Sequence, residues 1–157
     1  MNPDGVNLET PGGVTRTFTD MVLDYTGTLS VDGVLLPGVA ERLIIVAASL
    51  RITVLTADTF GTAAAQLKGL PVEVKVIRTG TDKANAVRGM GSEKVIAIGN
   101  GRNDVAMMEL AGLAIAVIGP EGAGGEVLRV ADVVVRDILD ALDLVTHPLR
   151  LKATLRD

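Results

Sequence analysis

The sequence contains no cysteine, which excludes at once a disulfide framework, a thiolate metal site and a cysteine nucleophile. Tryptophan is absent too, and Phe18, Tyr25 and Phe60 are the only aromatic residues, although hydrophobic residues make up 48% of the 157. The interior therefore has to be built from Val, Ile, Leu, Ala and a few Met, the composition of an aliphatic α/β core. Basic residues are in deficit: 15 Lys and Arg against 19 Asp and Glu leave a formal net charge of -4. A nucleic-acid partner, which needs a basic face, is not expected, and neither is attraction to anionic lipid. No apolar run reaches the length of a spanning helix, and the opening MNPDGVNLETPGG lacks the basic start and apolar stretch of a secretion signal. The expectation is one cytoplasmic domain over residues 1–157, without a membrane partner.

Short β-branched runs do occur, at 17–25, 51–56, 72–77, 94–100, 113–119 and 130–136. Helical patterns separate them, near 38–50, 60–68, 82–90, 103–111, 122–129 and 138–147. That alternation predicts a doubly wound, mostly parallel sheet with helices on both faces. Phe60, Ala63, Ala64 and Leu67, and again Ile138, Ala141, Leu142 and Val145, have the spacing of a sheet-facing helical stripe. Asp32-Gly33, flanked by Val31 and Val34, signals a hairpin turn, so a small β-flap is expected after the first core strand. Residues 1–16 read as an extension that either pairs as a hairpin or frays.

In a parallel sheet, ligands gather beyond the carboxyl ends of the strands. The first long run ends on Asp24, the second on Thr56 and Ala57 with Asp58 after them, the third leads into Asp82-Lys83, and the fourth ends on GNGRND, which holds Asn100, Asn103 and Asp104. A carboxylate, a hydroxyl, an ammonium and an Asn/Asp cluster thus meet at one rim. Asp24 can attack phosphorus to give an acyl phosphate that water later hydrolyses. The attack sets anion against anion, so Mg²⁺ is the expected cofactor, with Asp24, the Thr26 main-chain carbonyl, Asn100 and Asp104 as candidate oxygen ligands. Lys83 is expected to neutralise phosphoryl charge, and Thr56 with nearby N–H groups, among them those of Gly27 and Ala57, to orient the oxygens alongside Asn103. Asp58 reads equally as a helix cap or a member of the site, Asp82 as a helix cap, Arg102 and His147 as peripheral, and GPEGAGGE (119–126) as a flexible connection.

The segments DYTGTL, LTAD, TDKANAV and GNGRNDVAMM resemble, in order, the four motifs of the haloacid dehalogenase superfamily of aspartyl phosphatases. TGT after Asp24 and the Thr-x-Asp second motif are similar to the phosphorylation domain of P-type ATPases and to soluble, stand-alone phosphatases like it. The resemblance implies a Rossmann-like fold, Asp24 as nucleophile, Thr26, Thr56 and Lys83 in the catalytic set, and a Mg²⁺-dependent phosphomonoester hydrolase. Two departures stand out. Thr26 occupies the place where such phosphatases carry a second, acid/base Asp, and loss of such a group typically costs about 10² to 10⁴ in rate. Asn100 stands where many relatives have a metal-binding Asp. Slow turnover is therefore implied, and an autophosphorylated or phosphate-binding regulatory module is the alternative. Between Asp24 and Lys83 there is no room for a nucleotide-binding domain or a mobile cap. A capless site is expected to accept a phosphorylated small molecule or an exposed phosphate, and the flap near Val31–Leu36 to lie at the interface of a homo-oligomer.

Overall fold

The computed structural model describes residues 3–58 and 61–157. Its centre is a six-stranded sheet of β3 (Asp20–Asp24), β6 (Arg51–Thr56), β7 (Glu73–Val76), β8 (Val95–Gly99), β9 (Leu113–Val117) and β10 (Val133–Val135). The order is β10-β9-β8-β3-β6-β7, and every neighbouring pair is parallel. The chain starts at the centre with β3, winds outward to β7, then crosses back to β8. The crevice between β3 and β8 is the switch point at which such sheets bind ligands.

Helices cover both faces: α1 (Val39–Ala47), α2 (Thr62–Gln66), α3 (Gly80–Met90), α4 (Val105–Leu110), α5 (Gly125–Val130), α6 (Ile138–Thr146) and α7 (Pro148–Leu155). Strand side chains alternate between two clusters. Met21 and Leu23 join Ile52, Val54, Ile98 and the α1 and α6 side chains on one face, while Val22 and Leu55 join Val87, Met107 and Val127 from α3, α4 and α5 on the other. The predicted α6 stripe of Ile138, Ala141, Leu142 and Val145 is buried throughout. Each such aliphatic side chain contributes roughly 1.5–3 kcal/mol on burial.

The run at 17–25 is two elements, because β1 (Val6–Thr10) and β2 (Val14–Phe18) form an antiparallel hairpin that takes Thr17 and Phe18. Its inner face closes the core through Leu8 and Phe18, both about fully buried, beside Leu151 of α7. That last helix is one the sequence pattern did not predict. Pro148 ends α6 and opens α7 at its first turn, where its missing N–H costs nothing. In α2, Ala63 and Leu67 are buried but Ala64 is exposed, so the predicted stripe is narrower there, and Phe60 lies outside the described residues. The flap is present as β4 (Ser30–Val31) and β5 (Val34–Leu35), with Asp32 and Gly33 both at positive φ, 52° and 81°. That is the tight-turn conformation the dipeptide predicts. Among the described residues, no helix is long and apolar enough to cross a membrane.

Candidate active site

Asp24 is the last residue of β3 and shares its parity with Val22, so its side chain leaves the sheet on the α3/α4 face. Lys83 comes to meet it from the first turn of α3. Thr79 caps that helix by accepting a hydrogen bond from Asp82 N at 3.1 Å, so Thr79 and not Asp82 is the cap. The cap fixes the helix phase, and Lys83, Ala84 and Val87 form the inward stripe. A lysine there is 1% exposed, which makes it a buried cation and not a surface charge.

Lys83 Nζ donates to Asp24 Oδ1 at 2.9 Å and to Asp104 Oδ1 at 2.8 Å. Asp104 is fully buried in the turn before α4, and its Oδ2 accepts from the N–H groups of Asn100 at 3.1 Å and Gly101 at 3.0 Å. Gly99 has to lack a side chain, since a Cβ there would sit 2.5 Å from Asp104 Oδ2. Asp104 therefore stands behind Lys83 with both oxygens engaged, not at the open face expected of a metal ligand.

One ammonium between two carboxylates leaves a net negative charge in a low-dielectric place. Burial pushes the Asp24 carboxyl up from 3.8 to about 7, the Asp104 charge adds to this, and Lys83 opposes it only in part. For Lys83, burial works toward a lower pKa, but the charges of Asp24 and Asp104 outweigh it and hold the amine above its usual 10.5. The two acids also differ in donors: Asp104 receives three hydrogen bonds, whereas Asp24 receives the one from Lys83 and a long 3.5 Å contact from Thr28 Oγ1.

Asp24, Thr26, Ala57, Lys83, Asn100, Gly101, Asn103 and Glu121 line an open cleft of 340 Å³. The buried Thr28 hydroxyl lies between Asp24 Oδ2, at 3.5 Å, and Asn100 Oδ1, at 3.2 Å, and ties the two residues together beneath the cleft. Gly27, at φ 75°, lets the backbone pass against Asn100, where a Cβ would come within 2.5 Å of Nδ2. Of the predicted residues, Thr56 does not line the cleft: it shares the parity of Val54, is 2% exposed, and accepts from Asp58 N at 3.1 Å. Asp58 Oδ2 accepts from Ala63 N at 3.1 Å, the contact of a residue that starts α2. Arg102 is solvent-facing beside Glu126, and His147 is far along the chain at the end of α6.

Three contributors escaped the sequence reading: Thr28, Gly101 and Glu121. The first two sit within quoted motifs, but Glu121 belongs to the segment read as a flexible connection. That segment is pinned: Asn100 Nδ2 donates to Gly122 O at 3.0 Å, and Gly124 N donates to Asn100 O at 2.7 Å.

Mg²⁺ suits this donor set. A cation that takes one or two carboxylates and keeps its waters matches a cleft lined by Asp24 and Asn100, a carboxylate and an amide oxygen on either side of the Thr28 hydroxyl. The uncompensated negative charge of the cluster is a second reason for a cation there.

A family model described as haloacid dehalogenase-like hydrolase matches residues 55–139. An uncharacterized protein of Methanocaldococcus jannaschii is 53% identical over 66 residues, covering 42% of this chain and 71% of that one. Among solved structures, the fold is similar to 3-deoxy-D-manno-octulosonate 8-phosphate phosphatase from Moraxella catarrhalis, in complex with magnesium ion, phosphate ion and KDO, with a TM-score of 0.68 at 15% identity over 87% of this chain and 90% of that one. It is also similar to the catalytic domain of the CPx-ATPase CopB-B, with a TM-score of 0.57 at 24% identity over 75% of this chain and 46% of the other. The match over more than half of the sequence, on a parallel sheet of the same fold, places the chain in the haloacid dehalogenase-like hydrolase family.

Proposed function

We propose that the protein is a Mg²⁺-dependent phosphomonoester hydrolase working through an aspartyl phosphate at Asp24. The observation that carries this reading is the buried Lys83 ammonium 2.9 Å from Asp24 at the head of the cleft. A carboxylate there can reach phosphorus while the amine neutralises the phosphoryl oxygens. Asp24, the Thr26 carbonyl and Asn100 would hold the ion. When bound, Mg²⁺ supplies the positive charge that keeps Asp24 ionised and lowers the repulsion between it and the phosphate. Asp104, with its oxygens committed, positions Lys83 and the Asn100–Gly101 turn. Gly27, Ala57 and Asn103 border the space left for the phosphoryl group, and Thr56 supports that edge by holding Asp58 N.

The substrate is a phosphorylated small molecule, with sugar phosphates the first class to screen given the phosphatase of like fold, or a phosphate on a larger surface that an open, capless cleft admits. The test is hydrolysis of an aryl phosphate with Mg²⁺. Turnover is expected for the wild type and none for Asp24→Asn, and equal inertness of both proteins across a panel of phosphate esters refutes the enzyme reading. The reading as a phosphorylated regulatory module draws on Thr26, whose hydroxyl is a poor proton acceptor. A stable adduct from acetyl phosphate without turnover would favour it.

A further inference from the structure

We propose that Glu121 is the catalytic residue that takes the proton from water in the second half of the reaction. This rests on the aspartyl-phosphate reading above. Hydrolysis of an acyl phosphate at Asp24 needs a proton acceptor beside the phosphorus, and the groups in the cleft can be gone through one by one. Lys83 is an ammonium already donating to two carboxylates and has no lone pair to give. Asp104 is fully buried behind it. Asn100 and Asn103 are amides, and Thr26 offers only a hydroxyl. Asp24 itself carries the phosphoryl group. Among the described residues that line the cleft, Glu121 is the one remaining carboxylate.

Its placement is built. Glu121 Oε2 accepts from Asp32 N, at the flap turn, at 3.2 Å, which orients the carboxylate and leaves the other oxygen for a water. The flap is itself fixed, because Tyr25 donates its hydroxyl to Gly33 O at 2.7 Å. On the far side, Gly122 O and Gly124 N hold Asn100, and on the near side Gly119 N donates to Arg136 O at 3.1 Å. Gly119 lies against the turn that follows the nucleophile, where a Cβ would come within 3.2 Å of Gly27 O. The loop thus carries a carboxylate to the mouth of the cleft from a part of the chain outside the four motifs.

The step balances simply. A water oxygen bonds to phosphorus, the bond from phosphorus to the Asp24 oxygen breaks with its electrons returning to the carboxylate, and the water proton passes to Glu121. In the first half-reaction the same group, protonated, can hand that proton to an alkoxide leaving group. A nitrophenolate leaves without one.

The experiment is burst kinetics with 4-nitrophenyl phosphate and Mg²⁺ on the wild type, Glu121→Gln, Glu121→Asp and Asp24→Asn, with intact-mass detection of phosphoenzyme. Glu121→Gln keeps an oxygen for Asp32 N, so the flap contact and the melting temperature should survive. The expected result is a retained burst, a steady state about 10² to 10⁴ slower, accumulated phosphoenzyme, and partial recovery in Glu121→Asp. A Glu121→Gln steady state within threefold of the wild type, or a burst that falls in step with it, overturns the proposal while leaving Asp24 in place. Undiminished turnover by Asp24→Asn, or no reaction by the wild type, instead removes the aspartyl-phosphate reading and this one with it.

Discussion

Asp24→Asn should stabilise the metal-free protein, and the size and pH range of the effect follow from the site. The Asp24 carboxyl titrates at about 7 in the folded chain against 3.8 for the free side chain, because burial and Asp104 oppose its charge. Between those values the folded state binds a proton that the unfolded state has lost, so stability falls as pH rises from about 4 to about 7 and is level above that. At about 1.4 kcal/mol per pH unit, the full cost reaches about 4 kcal/mol. The side chain is only 8% exposed, so solvent screening removes little of it. Asparagine has the shape of the neutral acid and still offers an oxygen to Lys83 Nζ. In EDTA the variant should therefore melt at the same temperature as the wild type at pH 4 and about 10 °C higher at pH 8, taking roughly 2–4 °C per kcal/mol for a chain of this size. Residues far from the site are common to both proteins and cancel in the difference. Adding Mg²⁺ at pH 8 should raise the wild type by about 1.4 kcal/mol at ten times its Kd and leave the variant unmoved. Differential scanning calorimetry across pH 4–8 reads all of this. A variant less stable than the wild type at pH 8 in EDTA, or a gap that does not change with pH, refutes the claim that the Asp24 carboxylate is held at an energetic cost.

Two other substitutions probe the same cluster. Lys83→Met keeps an unbranched side chain one atom shorter but strands Asp104, fully buried, without its cation, so urea denaturation at pH 7 should show a loss of about 3–5 kcal/mol together with loss of phosphatase activity. Gly27→Ala places a methyl 2.5 Å from Asn100 Nδ2 at a φ of 75°; it should cost about 1–3 kcal/mol and weaken Mg²⁺ activation, measured as the Mg²⁺ concentration giving half-maximal rate, far more than it changes the flap.

The layers of this fold were legible because the central strands β3, β6 and β8 are short aliphatic runs with a polar residue at or just beyond the carboxyl end, and because Ile138, Ala141, Leu142 and Val145 repeat at helical spacing. The flap was legible from Asp32-Gly33, whose two positive φ values few other pairs tolerate. What failed to show had physical causes. β-propensity marks Thr17 and Phe18 as strand but does not say with which neighbour they pair, so a hairpin and a core strand merged into one run. Pro148 reads equally as the end of one helix and the first residue of the next. The burial of Lys83 depends on helix phase, set by the Thr79 cap three residues before Asp82. Glu121 has no periodic partner at all, and only the fold brings its glycine-rich loop back to Asn100.

Strand parity also explains the division of labour at the rim. Asp24 and Leu55 are register partners on neighbouring strands, so Thr56, one residue on, turns to the opposite face from Asp24. The ion-pair cluster therefore draws only on segments that approach from the α3/α4 side: Lys83 from α3, and Asp104 from the turn before α4. Those two residues lie 21 positions apart on either side of β8, whereas Asp24 precedes Lys83 by 59 positions and comes from the centre of the sheet. Lys83 Nζ, donating to Asp24, and the Thr28 hydroxyl, donating to Asn100 Oδ1, link the two groups. A cation entering beside Asp24 and Asn100 would join the same two segments a third time, across the switch point itself. Under the function proposed above, the negative charge that burial makes costly in the metal-free cluster would favour uptake of such an ion.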